Sequence, residues 1–325
     1  MLRYLLPDVS ESLMALLGIL FAFAATVIAT AKLGDHLPKD GGREYAHDGK
    51  LSAGKPRGAG IIFVLAFVAA TLLFLPLQAE RVIYLILIVI CMMTGYLDDA
   101  AKTPWGEYKK GFLDLCVAAM VAFTYVKYNG CEVELAMFGI SFDLPVWLFV
   151  ILTIVLVWVS VNVTNCADGV DGLSGTLAII SILTIYVLDL LRDREEDFAL
   201  MNLVFCVAIL GYLWFNATPS KLMMGDAGSR AMGLFISIAI LKTGAPILYV
   251  LVALVLILDG GLGLIKVSLI RFAKIHIMKN VRTPLHDHVR KIWNWSNTQC
   301  VYRFAIIQIV VSVIAIYAVA CQMGL

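Results

Sequence analysis

Long apolar runs separated by short polar segments cover most of the chain. A helix needs about 20 mainly apolar residues to cross the roughly 30 Å hydrocarbon core of a bilayer. Ten runs approach this length and predict ten membrane spans, at about 12–31, 58–77, 82–97, 111–128, 145–161, 172–191, 198–215, 230–241, 246–270 and 303–323. The polar sequence "DGGLG" at 259–263 interrupts the ninth run, which predicts a broken helix at that point.

The composition of the 325 residues agrees with a protein built for lipid. Hydrophobic residues make up 61% and charged residues 15%, whereas soluble domains are nearer half and a quarter. The cysteines form no CxxC pair and no cluster with histidine, which argues against a disulfide framework or a zinc site. We therefore predict an all-α integral membrane protein in one polytopic domain, 1–325, with no nucleic-acid partner.

Lysine and arginine are distributed unevenly between the predicted loops. The odd-numbered loops carry sixteen of them and the even-numbered loops five. Because cytoplasmic loops of membrane proteins are enriched in these residues, the odd-numbered loops are predicted to be cytoplasmic. With ten spans, both termini then lie on the extracytoplasmic side.

Four polar motifs fall in odd-numbered loops, and so on the predicted cytoplasmic face. They are "YLDDAAK" at 96–102, "NVTNCADGVDGLSG" at 162–175, "MMGDAGSR" at 223–230 and "TPLHDHVRK" at 283–291. This shared side predicts that the motifs build one site beside the membrane.

The acidic residues of these motifs suggest a divalent cation. Asp98 and Asp99 are adjacent at a membrane boundary, where two carboxylates repel each other and lose solvation. Mg²⁺ prefers a few carboxylates completed by substrate phosphate oxygens, and one acid could instead act as a general base. Asp226, between glycines at the start of the eighth span, can present a carboxylate to a metal beside backbone amides for a phosphate. For Asp98 and Asp99 the simpler alternative is a hydrated helix end.

The longest motif carries polar residues at steps of three: Asn162, Asn165, Asp168 and Asp171. Each step turns a helix back by about 60°, so either the helix ends inside the motif or the polar line wraps around a pocket. Gly169 and Gly172 favour the first alternative. Carboxamides suit a base or a sugar and carboxylates suit a metal or a hydroxyl, although turn chemistry alone would explain one aspartate.

Cationic groups accompany these acids. His286 and His288 lie among arginines and lysines without a convincing third zinc ligand, which favours a phosphate-facing role. Lys50 begins the glycine-rich segment "KLSAGKPRGAGI" at 50–61, which is either a flexible anion-contacting loop or an anchor that follows the positive-inside rule. The same two interpretations apply to Lys110.

In their order along the chain, the four motifs resemble those of polyprenyl-phosphate N-acetylhexosamine-1-phosphate transferases. Within that superfamily the chain is most similar to the phospho-N-acetylmuramoyl-pentapeptide transferases (MraY enzymes). The resemblance implies transfer of phospho-N-acetylmuramoyl-pentapeptide from UDP to undecaprenyl phosphate, giving lipid I and UMP in peptidoglycan synthesis. It further implies Mg²⁺, a homodimer and a bacterial cytoplasmic (inner) membrane with the active site facing the cytoplasm.

The resemblance also assigns roles to residues. Asp226 matches the metal-binding aspartate, Asp98 a proposed base for the lipid phosphate, and Asn216 an asparagine near the uridine. The expected catalytic residues are Asp98, Asp99, Asp226, Asp168, His286 and His288. The expected substrate-binding residues are Asn162, Asn165, Asp171, Asn216, Lys102, Lys110 and Lys50. In one departure, Asp287 stands where these enzymes usually have the middle of three histidines.

Two other functions compete with this one. A superfamily relative that transfers N-acetylglucosamine-1-phosphate would share every aspartate and differ in the sugar-facing loop. A transporter could use the broken ninth span, with Asp259 and Lys266 lining a pathway. The acids cluster at one face rather than at the midplane, and the hydropathy shows no inverted repeat, so we favour the transferase.

Overall fold

The computed structural model describes residues 1–6, 8–42, 52–101, 103, 105–192 and 196–325. Most of the chain is helical, with the α-helices α1 (Leu2–Leu5), α2 (Glu11–Leu33), α3 (Gly60–Phe74), α4 (Ala79–Asp99), α5 (Glu107–Asn129), α6 (Val146–Cys166), α7 (Leu173–Leu191), α8 (Glu196–Asn216), α9 (Gly225–Lys242), α10 (Tyr249–Val252), α11 (Leu254–Leu256), α12 (Leu262–Ser268), α13 (Leu285–Lys291) and α14 (Asn297–Gln322). The predicted site residues Lys50 and Lys102 lie outside the described residues.

Each of the ten predicted apolar runs overlaps at least one helix. Within the described residues, seven helices are long and apolar enough to cross a membrane, or eight when the bent segment from Pro246 to Ala273 is counted as one span. The other two runs correspond to α3, an apolar helix of 15 residues, and to α9, which carries three charged residues in 18. The predicted class, an all-α integral membrane protein, is confirmed. Which end faces the cytoplasm stays a prediction.

Helix α9 is the central helix of the bundle. Every residue from Gly225 to Leu241 is buried, and α3, α4, α6 and α7 pack around it. A helix with apolar or small residues on all sides is stable only when other helices cover it completely. The N-terminus of α9, which carries Asp226, therefore lies at the centre of one end of the bundle.

A small hairpin marks the opposite end of the bundle. Strands β1 (Glu132–Leu135) and β2 (Ile140–Asp143) pair antiparallel, with Glu132 opposite Asp143. The backbone N–H of Glu134 donates to the carbonyl of Gly244, just beyond the C-terminus of α9. The hairpin and the acidic residues therefore lie at opposite ends of the same helix.

Both chain termini lie at the hairpin end. The ammonium group of Met1 donates to the carbonyl of Leu72 at 2.7 Å, near the C-terminus of α3. At the other terminus the side chain of Gln322 packs against Gly139 in the hairpin turn. The two termini thus share a side, and this side is opposite to the predicted active site.

The ninth apolar run is broken, but not where the sequence predicted. The axis bends by 72° at Ala253, whereas Ile257–Gly261, which includes the predicted interruption, continues as a π-helix. Gln308 of α14 explains the location, because its Nε2 donates to the carbonyls of Leu251 and Val252 and its Oε1 accepts from the N–H of Val255. These bonds satisfy backbone groups that the break leaves without helical partners.

Gly260 in the ninth run serves close packing rather than a break. A β-carbon placed on Gly260 would lie 2.3 Å from the carbonyl oxygen of Val163 in α6. The absence of a side chain at position 260 thus lets the π-helix touch the backbone of α6. The predicted break at 259–263 was wrong because glycine has two uses in a helix, and sequence alone does not distinguish them.

Candidate active site

Three carboxylates converge where α9 begins and α4 ends. Asp226 lies in the first turn of α9, and Asp98 and Asp99 are the last two residues of α4. A β-carbon on Gly95, one turn earlier in α4, would lie 2.4 Å from the backbone carbonyl carbon and oxygen of Asp226. Only glycine at this position lets the two helices approach closely enough for their carboxylates to share one site.

Asp99 is held by the N-terminus of the central helix. Its side chain has no exposed surface, and its Oδ2 accepts a long hydrogen bond of 3.4 Å from the N–H of Ala227. The first N–H groups of a helix have no helical partner and carry partial positive charge, so they stabilise an anion there.

Two basic side chains lie among the three carboxylates. Nη2 of Arg57 is 2.8 Å from Oδ1 of Asp99 and 3.2 Å from Oδ1 of Asp226. Nζ of Lys110 is 3.5 Å from Oδ2 of Asp226 and forms an ion pair with Asp98. Three acids against two cations leave the cluster with an excess of negative charge.

The electrostatic environment of Arg57 reflects this excess. Burial lowers the pKa of its guanidinium, but neighbouring negative charges outweigh burial and leave the pKa raised. The carboxylates responsible are Asp99, Asp226, Asp40 and Asp168. The guanidinium is therefore a permanent positive charge inside an acidic cluster.

Asp98 is oriented by the segment that joins α4 to α5. Its Oδ1 accepts a hydrogen bond of 2.7 Å from the N–H of Trp105, while Lys110 pairs with Oδ2. Both contacts favour the ionised carboxylate. The negative charge of Asp98 is thus fixed beside Asp226 rather than free in a hydrated helix end.

The motif at 162–175, called the Asn/Asp motif below, extends past the end of a helix. Helix α6 ends at Cys166, which decides between the two alternatives that the spacing left open. Asn162 lies within α6, and its Nδ2 donates to the carbonyl of Trp158 one turn earlier. Asn165 reaches the central helix, since its Oδ1 accepts a hydrogen bond of 2.8 Å from the hydroxyl of Ser229. Asp168 lies close enough to Arg57 to raise its pKa.

The end of the motif joins the loop before α9. Oδ2 of Asp171 accepts from the N–H of Ser220 at 3.1 Å and lies 3.9 Å from Nζ of Lys55. Asn216, at the end of α8, accepts from the N–H of Gly172 and donates to the carbonyl of Leu222, both at 2.8 Å. The carboxamide of Asn216 therefore ties the two loops together.

His286 is buried against the same motif. Its side chain is 4% exposed, and its backbone N–H donates to Oδ1 of Asp259 at 2.7 Å. Its Nδ1 lies 2.8 Å from Oδ2 of Asp259. A β-carbon on Gly169 would lie 2.2 Å from Nε2, so the ring packs on the bare backbone of that glycine.

His288, unlike His286, contacts residues of its own segment. Its Nδ1 accepts a hydrogen bond of 3.2 Å from the N–H of Arg282, and its ring meets Trp293 edge-on with 5.6 Å between centroids. Asp287, in the place of the usual middle histidine, forms an ion pair of 2.8 Å with Arg290. Arg290 also donates to the carbonyl of Gly169 at 3.4 Å, which attaches α13 to the Asn/Asp motif.

The structure brings most of the predicted site residues to one end of the bundle. The acidic cluster consists of Asp98, Asp99 and Asp226, with Lys110 paired to it. The adjoining loops carry Asn165, Asp168, Asp171, Asn216 and His286. The described contacts of Asn162 and His288 lie within their own segments. Sequence reasoning missed the central position of Arg57 and the pairing of Asp259 with His286. For Arg57 the available signal was a charged residue beside glycines. For Asp259 it was an acid inside an apolar run.

The donor set suits Mg²⁺. Oδ1 of Asp99 is buried and, within the described part of the chain, accepts no hydrogen bond of normal geometry, although Arg57 lies beside it. Asp226 supplies a second carboxylate across the same gap. Among the described residues no group of three or more His, Cys, Asp or Glu side chains is arranged to hold a metal alone. Mg²⁺ usually takes one or two protein carboxylates and completes its shell with phosphate oxygens and water, so these residues fit the ion.

Comparison with known proteins identifies similar chains. Residues 81–244 match the family described as glycosyl transferase family 4. A phospho-N-acetylmuramoyl-pentapeptide-transferase of Treponema pallidum (strain Nichols) is 39% identical over 291 residues, covering 84% of this chain and 80% of the relative. The enzyme of the same name in Bacillus subtilis (strain 168) is 28% identical, and the match covers 88% of this chain and 89% of the relative. The one in Wolbachia pipientis wMel is 26% identical, and the match covers 80% of this chain and 83% of the relative.

Proposed function

The chain belongs to the phospho-N-acetylmuramoyl-pentapeptide transferase family, and we propose that its converging carboxylates are the catalytic centre. The enzyme is a multi-pass membrane protein of peptidoglycan biosynthesis that transfers phospho-N-acetylmuramoyl-pentapeptide from its UDP donor to a lipid carrier. One observation supports the location of the site. Asp98, Asp99 and Asp226 meet around Arg57 and Lys110 at one end of the central helix.

In this proposal the lipid carrier is undecaprenyl phosphate, and its phosphate attacks the donor directly. An oxygen of the lipid phosphate forms a bond to the phosphorus that carries the sugar, and the bond between that phosphorus and the bridging oxygen breaks. UMP leaves with the bridging oxygen, and the product is lipid I. Asp98, fixed by Trp105 and Lys110, accepts the proton of a lipid phosphate that arrives protonated.

The loops beside the acidic cluster hold the donor. Asn165, Asp168 and Asp171 offer carboxamide and carboxylate groups to uridine or sugar hydroxyls. Asn216 holds the loop after α6 against the loop before α9 through its hydrogen bonds to Gly172 and Leu222. Asn162, His286 and His288 are further candidates for donor contacts, as are the loop cations Lys50, Lys102 and Lys110. Their roles stay predictions.

Enzymes of this family depend on a metal, and we assign Mg²⁺ to Asp226 together with Asp99. When bound, the ion would neutralise charge that develops on the diphosphate oxygens. The protein's own contribution is to hold two carboxylates at a fixed separation in a buried position, beside the first N–H groups of α9.

We further propose that the site faces the cytoplasm of a bacterial inner membrane and that the enzyme is a homodimer. Single cysteines introduced at Thr103 and Ser141, in a variant without native cysteines, test the orientation with a membrane-impermeant thiol reagent. Thr103→Cys should react only in inverted vesicles and Ser141→Cys only in spheroplasts. The reverse pattern would contradict the orientation. The mass of the detergent-purified protein, measured by native mass spectrometry, tests the dimer.

The central test is release of UMP by purified protein in detergent with undecaprenyl phosphate and Mg²⁺. We expect release with UDP-N-acetylmuramoyl-pentapeptide, loss of release with a chelator, and recovery with added Mg²⁺. Asp226→Asn should abolish release, whereas Asp143→Asn, which changes an exposed carboxylate of the hairpin, should not. Release with UDP-N-acetylglucosamine instead would identify a relative that transfers N-acetylglucosamine-1-phosphate.

A further inference from the structure

Arg57 occupies the gap between the two carboxylates assigned to the metal. We infer that its guanidinium is a mobile counter-cation, which holds Asp99 and Asp226 while the site is without substrate and moves to the donor diphosphate when the metal enters. The inference rests on the proposed function, because it assumes a divalent metal at Asp226. It assigns to Arg57 a substrate-positioning role and predicts that metal and donor bind cooperatively.

The geometry makes Arg57 and the metal competitors. One nitrogen, Nη2, lies 2.8 Å from Oδ1 of Asp99 and 3.2 Å from Oδ1 of Asp226. Mg²⁺ binds carboxylate oxygens at about 2.0–2.1 Å, so an ion between the same two oxygens would overlap this nitrogen. The two cations would also repel each other strongly in a buried site. Only one of them can occupy the gap.

The guanidinium can move while its backbone stays fixed. The N–H of Arg57 donates to the carbonyl of Pro38 at 2.8 Å, and the neighbouring carbonyl of Pro56 accepts from the N–H of Met223. These bonds attach the loop to the segment just before Asp226. The side chain is nevertheless 19% exposed, against 0% for Asp99. The cationic head can therefore leave the gap and remain within the length of one side chain.

The chemistry of the donor favours this movement. A diphosphate approaching the site meets Asp98, Asp99, Asp226 and the nearby Asp40, which would repel it. Once a metal neutralises Asp99 and Asp226, Nη2 of Arg57 loses its two nearest partners and becomes available to another anion, while Nη1 keeps its ion pair of 3.4 Å with Oδ1 of Asp40. A guanidinium presents a planar fork that binds two phosphate oxygens at once, which a lysine cannot do. Metal entry thus makes a phosphate-binding group available.

Binding of Mn²⁺, a paramagnetic substitute for Mg²⁺, tests the inference without relying on turnover. Electron paramagnetic resonance of free Mn²⁺ would give its affinity for the full-length protein in detergent, with and without UDP-N-acetylmuramoyl-pentapeptide. Without the donor, Arg57→Gln should bind Mn²⁺ about tenfold more tightly than wild type, because the competing charge is gone. The donor should tighten Mn²⁺ binding in both proteins, because its phosphate oxygens complete the shell of the metal. The factor should be several-fold larger in wild type than in Arg57→Gln, because only wild type also gains the contact between Arg57 and the donor, and coupling between two ligands is reciprocal.

Three further variants make the result specific. Arg57→Lys keeps the charge and should bind Mn²⁺ like wild type, but should raise the KM for the donor because the fork is lost. Lys39→Gln removes an exposed charge from the same loop and should leave the affinity for Mn²⁺ unchanged. If Arg57→Gln binds Mn²⁺ no more tightly than wild type while Asp226→Asn abolishes binding, the inference is wrong and the metal site stands. If Asp226→Asn binds Mn²⁺ as well as wild type, the proposed metal site fails, and the inference fails with it.

Discussion

The imidazole of His286 and the carboxylate of Asp259 form a buried pair, with Nδ1 2.8 Å from Oδ2. Asp259 has no exposed surface and also accepts the backbone N–H of His286. A carboxylate inside a membrane bundle is costly unless it is paired, so this contact fixes both residues. It joins the π-helix of the ninth span to α13 and leaves Nε2 of His286 facing Gly169.

Asp259→Ala should destabilise the protein and lower turnover, because two buried donors of His286 lose their acceptor. Each such loss costs about 1–3 kcal/mol. Thermal unfolding in detergent and UMP release would measure the two effects. Asp259→Asn keeps one acceptor, so its unfolding midpoint and its turnover should lie between those of Asp259→Ala and wild type. Asp143→Ala, in the exposed hairpin, is the control. A normal unfolding midpoint and turnover for Asp259→Ala would show that the pair has no role.

Gln308→Met should destabilise the bend of the ninth span while preserving side-chain volume. The substitution leaves the carbonyl of Leu251 and the N–H of Val255 without the side-chain partner that they have now. The carbonyl of Val252 loses one of two partners and keeps the hydroxyl of Ser181. We expect a loss of at least about 2 kcal/mol. Gln322→Met, at the exposed end of the same helix, should change little. Equal unfolding midpoints for the two variants would contradict the role of Gln308 at the break.

Gly95→Ala should disrupt the candidate active site more than it disrupts the bundle. The added methyl group would collide with the backbone of Asp226, so α4 and α9 must separate and carry their carboxylates apart. UMP release should fall by at least tenfold, and Mn²⁺ affinity should fall with it. Gly111→Ala is the matched control, because a β-carbon on Gly111 meets nothing within 4 Å. That helical substitution should stabilise the protein by about 0.5–1 kcal/mol. Full activity of Gly95→Ala would mean that the close approach is not required.

Arg230 and Asp114 form a buried ion pair one turn deeper in the bundle than the contact between Lys110 and Asp226. Both partners are at most 7% exposed. Arg230→Met alone leaves an unpaired buried carboxylate and should cost about 3–5 kcal/mol. The double variant Asp114→Leu with Arg230→Met should recover most of that loss in thermal unfolding. A double variant as unstable as the single one would show that the charges themselves are needed.

Much of this architecture could be predicted from local sequence. The apolar runs predicted a helix at each of their ten positions, because the hydrophobic length needed to cross a bilayer is recorded in consecutive residues. The helix end inside the Asn/Asp motif was one of two alternatives that the spacing allowed, and Cys166 ends α6 there. The acids Asp98, Asp99 and Asp226 were recognisable because a carboxylate at the edge of an apolar segment is costly without a function.

The sequence by itself determined the class of the protein, its long apolar helices and the residue types of its candidate active site, since each depends on composition within a short window. Only the tertiary structure decided that Arg57 lies between Asp99 and Asp226, that His286 pairs with Asp259, and that the ninth span bends at Ala253. These contacts join residues from 27 to 169 positions apart in the chain. Such pairs depend on which helix faces meet and how closely glycines let them approach, and hydrophobic patterning within one segment carries no information about its neighbour.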